Sequence, residues 1–214
     1  MIKAVLFDMD GVLVDSEKYI CEAAIKMFAE NGITAKEEDF LPFVGTGENR
    51  YLGGVAEKYN FVHDIETIKS RTYAIYAEIV HLKLVALPGV HTFIAKCKEL
   101  GLKIAVATSA DEVKMLVNLK EVGVPAETFD TTVNGLQVER KKPFPDIYIK
   151  AAKQLGVSTT QCLVVEDAIS GIEAALNAGC RCLALTTSFP REKLTRANWI
   201  CKDLSEYPND AIDW

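Results

Sequence analysis

Basic residues are in the minority in this 214-residue chain. Lys and Arg number 24 against 30 Asp and Glu, for a net charge of −6. A face built to neutralise nucleic-acid phosphates wants the opposite balance, which argues against nucleic acid as a partner. A small anionic substrate is not excluded, because a bound cation and a few donors can reverse the local field. Histidine is scarce: His63, His81 and His91 stand far apart, which argues against a histidine-built metal site and for surface positions. Six cysteines are present at 21, 97, 162, 180, 182 and 201, without a Cys-x-x-Cys cluster. Cys162 and Cys182 sit inside apolar, strand-like runs, where cysteine behaves as a small hydrophobe. We read them as reduced thiols of a reducing compartment, and the expectation is cytoplasmic. No apolar run approaches membrane-spanning length. The start of the chain shows no basic region followed by an apolar segment and cleavage site, so no leader and no membrane partner are expected.

What is present is an ordinary globular composition, 49% hydrophobic and 25% charged. The first apolar stretch, Ile2 with Ala4-Val5-Leu6-Phe7, reads as a strand buried on both faces in a parallel sheet. It ends in Asp8-Met9-Asp10-Gly11. Two carboxylates two apart start on one side of a strand, and leaving the strand at Gly11 lets Asp10 turn away from Asp8. Carboxylates in different environments can divide nucleophile, metal-ligand and proton-carrying roles. A solvated turn is the bland alternative. A calcium loop would follow a helix and need a closing glutamate.

Residues 16–31 read as a helix, with Ile20, Ala23, Ala24, Met27 and Phe28 at helical spacing and Asn31-Gly32 as a stop. Further helices are expected over 35–41, 48–59, 64–70 and 72–83. Beyond Leu87-Pro88-Gly89, strands alternate with helices. Strands are expected at Lys103–Thr108, Thr131–Val133, Leu163–Val165, Arg181–Leu185 and Trp199–Cys201. Helices are expected over 90–100, 111–121, 145–155 and 169–178. This alternation predicts an α/β fold with a doubly wound parallel sheet, interrupted by an inserted all-helical segment. Parallel strands send their carboxyl ends to one edge, so Asp8, Thr108 and Asp167 converge there.

Three further segments draw notice at that edge. Thr108-Ser109-Ala110 opens a helix and offers a hydroxyl and backbone N–H groups to a phosphate, or simply caps the helix through Ser109 or Asp111. Arg140-Lys141-Lys142-Pro143-Phe144-Pro145-Asp146 is a rigid basic loop, which solvation alone accommodates. Glu166-Asp167 directly follows a buried strand, where Asp167 or Ser170 can cap the next helix.

Together these segments resemble, in order, the four motifs of the haloacid dehalogenase superfamily. The match is closest to the branch of β-phosphoglucomutases and small sugar-phosphate phosphatases. The resemblance spans the chain, and it implies a Rossmann-like core formed by 1–15 and 87–214 with a helical cap at 16–86. It implies that Asp8 is the nucleophile and Asp10 the acid and base. Thr108, supported by Ser109, contacts the transferring phosphoryl group, and Lys142 steadies its charge. Magnesium is held by Asp8, the Asp10 carbonyl and Asp167, with Glu166 a ligand or close neighbour. The implied activity is magnesium-dependent hydrolysis of a small phosphomonoester through an aspartyl-phosphate. Asp10 argues against a dehalogenase, whose motif resembles Asp-x-Tyr. A phosphosugar mutase is the alternative, and a non-catalytic binding domain a more distant one. Mutases carry a histidine and cap cations where this chain has Ile20, Val44 and Glu48, and a lysine where it has Asp111; these departures favour hydrolysis. Arg50 is a further candidate for reaching substrate. The expected partner is a small phosphorylated metabolite, and the expected state a monomer.

Overall fold

Six parallel strands form a single sheet in the computed structural model, which describes residues 1–43 and 47–214. In chain order the elements begin with β1 (Ala4–Phe7), then α1 (Glu17–Glu30), α2 (Glu37–Phe40), α3 (Glu48–Lys58) and α4 (Ile65–Val80). They continue with α5 (Val90–Glu99), β2 (Lys103–Ala107), α6 (Glu112–Glu121), β3 (Thr131–Val133) and α7 (Asp146–Leu155). The chain closes with β4 (Cys162–Glu166), α8 (Ile169–Asn177), β5 (Arg181–Leu185) and β6 (Trp199–Cys201).

The strands lie in the order β3-β2-β1-β4-β5-β6. The winding runs outward from β1 to β3, then restarts beside β1 with β4. Ligand crevices of open α/β sheets form at such a reversal, outside the carboxyl ends of the strands. Register matters here. Phe7 is level with Val106 of β2 and Val165 of β4. The next residues, Asp8 and Glu166, are therefore neighbours across the reversal, with Thr108 just beyond the end of β2.

The sheet is held by apolar burial on both faces. All of β1 and β4 is buried, as continuous apolar strands of a covered parallel sheet require. Leu6, Ala105, Val164 and Cys182 pack with Ile147, Tyr148, Ala151 and Ala152 of α7 and with Ile172 and Ala175 of α8. Phe7 meets Phe93 of α5 edge to face, with ring centres 5.9 Å apart.

The chain divides into two compact units, Met1–Asp15 with Val85–Trp214, and Ser16–Leu84. In the second unit α1 buries Ile20, Ala23, Ala24, Met27 and Phe28. Its α4 buries Ile68, Thr72, Tyr73, Ile75, Tyr76 and Ile79. The two helices expected over 64–70 and 72–83 are one helix. The buried stripe runs through without a break, and the Thr72 hydroxyl donates to the Ile68 carbonyl at 2.8 Å within it. Arg71, where the sequence reading divides them, points outward and donates two hydrogen bonds to Glu30 of α1. Among the described residues, no helix is long and apolar enough to cross a membrane.

Candidate active site

The site starts where β1 runs out. The Asp8 N–H continues the ladder onto the Val165 carbonyl at 3.0 Å. The chain then folds tightly: the Met9 carbonyl accepts from the N–H groups of Val12, Leu13 and Val14, and the Gly11 N–H donates to the Val14 carbonyl. Gly11 has φ of +75°, and a Cβ there would collide with the Asp167 carboxylate. Only glycine satisfies both demands. This turn separates the two acids. Asp8 is buried, whereas the Asp10 side chain is 22% exposed and accepts a hydrogen bond from Lys114 of α6 at 3.0 Å.

Lys142 lies in the loop before α7, and its ammonium group bridges two carboxylates. It donates to Asp8 Oδ1 at 2.5 Å and to Glu166 Oε1 at 2.7 Å. Glu166 is saturated with donors. Oε1 also accepts from the Tyr148 hydroxyl at 2.9 Å, and Oε2 from the N–H groups of Asp167 and Ala168 at 2.8 and 2.9 Å. Asp167 Oδ2 accepts from the Ser188 hydroxyl. The helix-capping alternative for Asp167 is not what the side chain does: α8 starts after Ala168 without a side-chain cap.

Ligating oxygens of Asp8, Glu166 and Asp167 lie within 4.8 Å of one another. Such crowding has an electrostatic cost. Burial, together with the charges of Glu166 and Asp10, pushes the Asp8 carboxyl up to about 7, even with Lys142 opposing. Burial and the charges of Glu166 and Asp8 push Asp167 up to about 8. Glu166 goes the other way. Burial opposes its charge, but Lys142 and the donated hydrogen bonds hold it below the usual carboxyl range. Burial likewise opposes the charge of Lys142, yet Asp8 and Glu166 hold its ammonium form above the ordinary lysine range. Asp8, Asp10, Glu166 and Asp167 outnumber the ammonium groups paired with them, Lys142 and Lys114.

A hard divalent cation fits that deficit and that all-oxygen donor set. Among the described residues, Asp8 Oδ2 and Asp167 Oδ1 accept no hydrogen bond, whereas both oxygens of Glu166 are in use. Asp8 and Asp167 are thus the side chains with oxygens to offer, and Glu166 orients Lys142.

Thr108 sits at the same edge. It is buried, its N–H donates to the Val133 carbonyl at 3.0 Å, and its hydroxyl accepts from the Ala110 N–H at 3.1 Å. Asp111 opens α6 without a side-chain cap. The Ser109 carbonyl accepts from Lys141 at 3.2 Å, which ties the basic loop to the Thr108 turn. The remaining candidate, Arg50, belongs to the helical unit. There it donates two 2.9 Å hydrogen bonds to Glu57 and lies over the Phe43 ring. Ile20 is buried in α1, Glu48 lies in the first turn of α3, and Val44 is outside the described residues.

Lys114, Tyr148 and Ser188 escaped the sequence reading. Lys114 left a trace, because it and Asn118 stand four apart on the buried face of α6 beside Met115 and Leu119. Thr186-Thr187-Ser188 is a run of hydroxyls after β5. The Thr187 hydroxyl donates to the Gly11 carbonyl at 2.5 Å.

Comparison with known proteins gives the same direction. Residues 5–185 match the family model described as haloacid dehalogenase-like hydrolase. The chain is 44% identical over 190 residues to protein SUPPRESSOR OF QUENCHING 1, chloroplastic, of Arabidopsis thaliana; the match covers 87% of this chain but only 18% of that protein. It is 32% identical over 178 residues to the phosphorylated carbohydrates phosphatase of Thermotoga maritima, covering 83% of this chain and 82% of the relative. A crystal structure of CbbY from Rhodobacter sphaeroides in complex with phosphate superposes with a TM-score of 0.86 at 26% identity, over 100% of each chain.

Proposed function

The chain belongs to the haloacid dehalogenase-like hydrolase family, and from that premise we propose that it is a magnesium-dependent phosphatase of small phosphorylated metabolites, sugar phosphates foremost. The observation that carries this reading is the pairing of buried Asp8 with Lys142 beside Asp167, while Asp10 is turned away from them.

Asp8 attacks the phosphorus in line with the leaving alcohol and becomes an aspartyl-phosphate. Lys142 holds the Asp8 carboxylate in place and stabilises charge on the phosphoryl oxygens. The Thr108 hydroxyl donates to one of those oxygens. Asp10 protonates the departing alkoxide, then takes the proton of the water that cleaves the intermediate. Magnesium would be held by Asp8, Asp167 and the Asp10 carbonyl, and when bound it supplies positive charge against the phosphoryl oxygens. Glu166 and Ser188 orient Lys142 and Asp167. The domain of residues 16–86 is assigned to substrate selection, and the protein to the cytoplasm as a monomer.

Hydrolysis is favoured over mutase chemistry by Ile20, Glu48 and Asp111, none of which can grip a second phosphate as a cation. The test is inorganic phosphate release from a panel of phosphorylated carbohydrates, with Mg²⁺ and with EDTA. It runs beside a β-glucose-1-phosphate isomerisation assay primed with the bisphosphate. Magnesium-dependent release without isomerisation supports the reading. Isomerisation outpacing release, or no turnover of any ester, overturns it.

A further inference from the structure

A lysine that is only 3% exposed needs a reason, because an ammonium group leaves water at high cost unless it is paired. Lys114 rises from α6 and donates to Asp10 Oδ2 at 3.0 Å. One turn further on, buried Asn118 donates to Met9 Sδ at 3.6 Å. Two polar side chains on the buried face of one helix are therefore spent on the Met9-Asp10 segment, across more than a hundred residues of sequence. The Lys114 side chain is 4% exposed, against 22% for Asp10. The lysine is therefore buried, while the carboxylate it pairs with keeps access to solvent.

We propose that Lys114 is a positioning residue for Asp10. It fixes one carboxylate oxygen so that the other is presented to the leaving-group oxygen of the ester. This rests on the phosphatase reading for its catalytic meaning, but the positioning itself is a statement about the folded protein. In the first step, the P–O bond to the alcohol breaks as the Asp8–P bond forms, and the Asp10 proton goes to the departing oxygen. A carboxyl free to rotate delivers that proton less often. The loss then depends on how much the leaving group needs it.

The experiment compares kcat/KM of wild type, Lys114→Met and Lys114→Arg on an alkyl phosphomonoester and on p-nitrophenyl phosphate, whose leaving group departs without protonation. General acid catalysis is worth about 10²–10⁴-fold, so Lys114→Met is expected to lower the alkyl rate by about tenfold or more and the aryl rate by less than about threefold. Lys114→Arg, which keeps a donor, recovers part of the alkyl rate. In an Asp10→Asn background the Lys114→Met change has less than about a twofold further effect, because the residue it serves is already gone. Equal losses on both esters, or full multiplicative loss in the Asp10→Asn background, overturn the proposal. If Lys114→Met does not fold, Lys114→Gln carries the same comparison. Crystal structures of wild type and variant decide the positioning apart from activity. The Asp10 carboxylate leaves its wild-type rotamer in the variant if the proposal holds, and an unchanged rotamer overturns it. An absence of phosphatase activity in wild type would sink the proposed function and leave this structural outcome standing.

Discussion

Gly171 approaches the Glu166 carboxylate so closely that a Cβ on it would fall inside that group. The first turn of α8 can therefore pass over Glu166 only with glycine at this position. Gly171→Ala forces the carboxylate aside, and Lys142 loses one of its two anchors. Overpacking of this kind costs about 1–3 kcal/mol of stability. A displacement near 1 Å at the reacting groups costs about 10²-fold in rate. The expected outcome is a folded protein with kcat on a phosphomonoester lowered by about two orders of magnitude. Circular dichroism checks the fold; full activity in a folded variant would show that Glu166 does not orient Lys142.

Metal-free protein is predicted to lose stability as pH rises. Asp8 is raised to about 7, chiefly by burial, and Asp167 to about 8, by burial and the neighbouring carboxylates, from an ordinary value of 3.8. A carboxyl with a raised folded-state pKa favours the fold fully below its unfolded value, and this is lost as pH climbs through the folded value. With EDTA, Tm should fall between about pH 5 and about pH 8, and Mg²⁺ should raise Tm more at the higher pH. A larger magnesium effect at the lower pH would contradict the charge assignment.

Lys142→Met leaves Asp8 and Glu166 buried without their shared cation. Removing one partner of a buried ion pair costs about 3–5 kcal/mol. Because protonation of the orphaned carboxylates relieves the strain, the loss should be larger near pH 8 than near pH 5. Urea titrations at the two pH values measure it, and a pH-independent loss would count against the pairing of Lys142 with Asp8 and Glu166.

Ser188→Ala removes the hydroxyl that holds Asp167 Oδ2. Hydrogen bonds behind a metal ligand are worth about 10–100-fold in affinity. The Mg²⁺ concentration for half-maximal rate is expected to rise about tenfold. An unchanged requirement would mean that Ser188 has no part in placing Asp167.

The sheet was legible because its strands are short, continuous apolar runs punctuated by glycine. Thr131–Val133, Arg181–Leu185 and Trp199–Cys201 fall where the pattern puts them. The convergence of Asp8, Thr108 and Asp167 was legible for a topological reason, since parallel strands share a carboxyl edge; Lys142, in the loop before α7, was named only through the family resemblance. The single helix α4 was not. The outward-facing Arg71 broke the local pattern, and only the packed stripe from Ile68 to Ile79 shows its continuity. The supporting residues were hidden because sequence records no contacts. Lys114 lies 104 residues from Asp10 and Ser188 21 residues from Asp167. Each reads locally as an unremarked polar residue on a helix or in a loop.

Covalent catalysis through Asp8 is the centre of this account. Borohydride reduces an aspartyl-phosphate to homoserine, so turnover with a phosphomonoester and Mg²⁺, quenched with borohydride and mapped by peptide mass spectrometry, reads the nucleophile directly. Homoserine is expected in place of Asp8, dependent on substrate and absent with EDTA. Homoserine at another carboxylate, or undiminished phosphate release by Asp8→Asn, would contradict it.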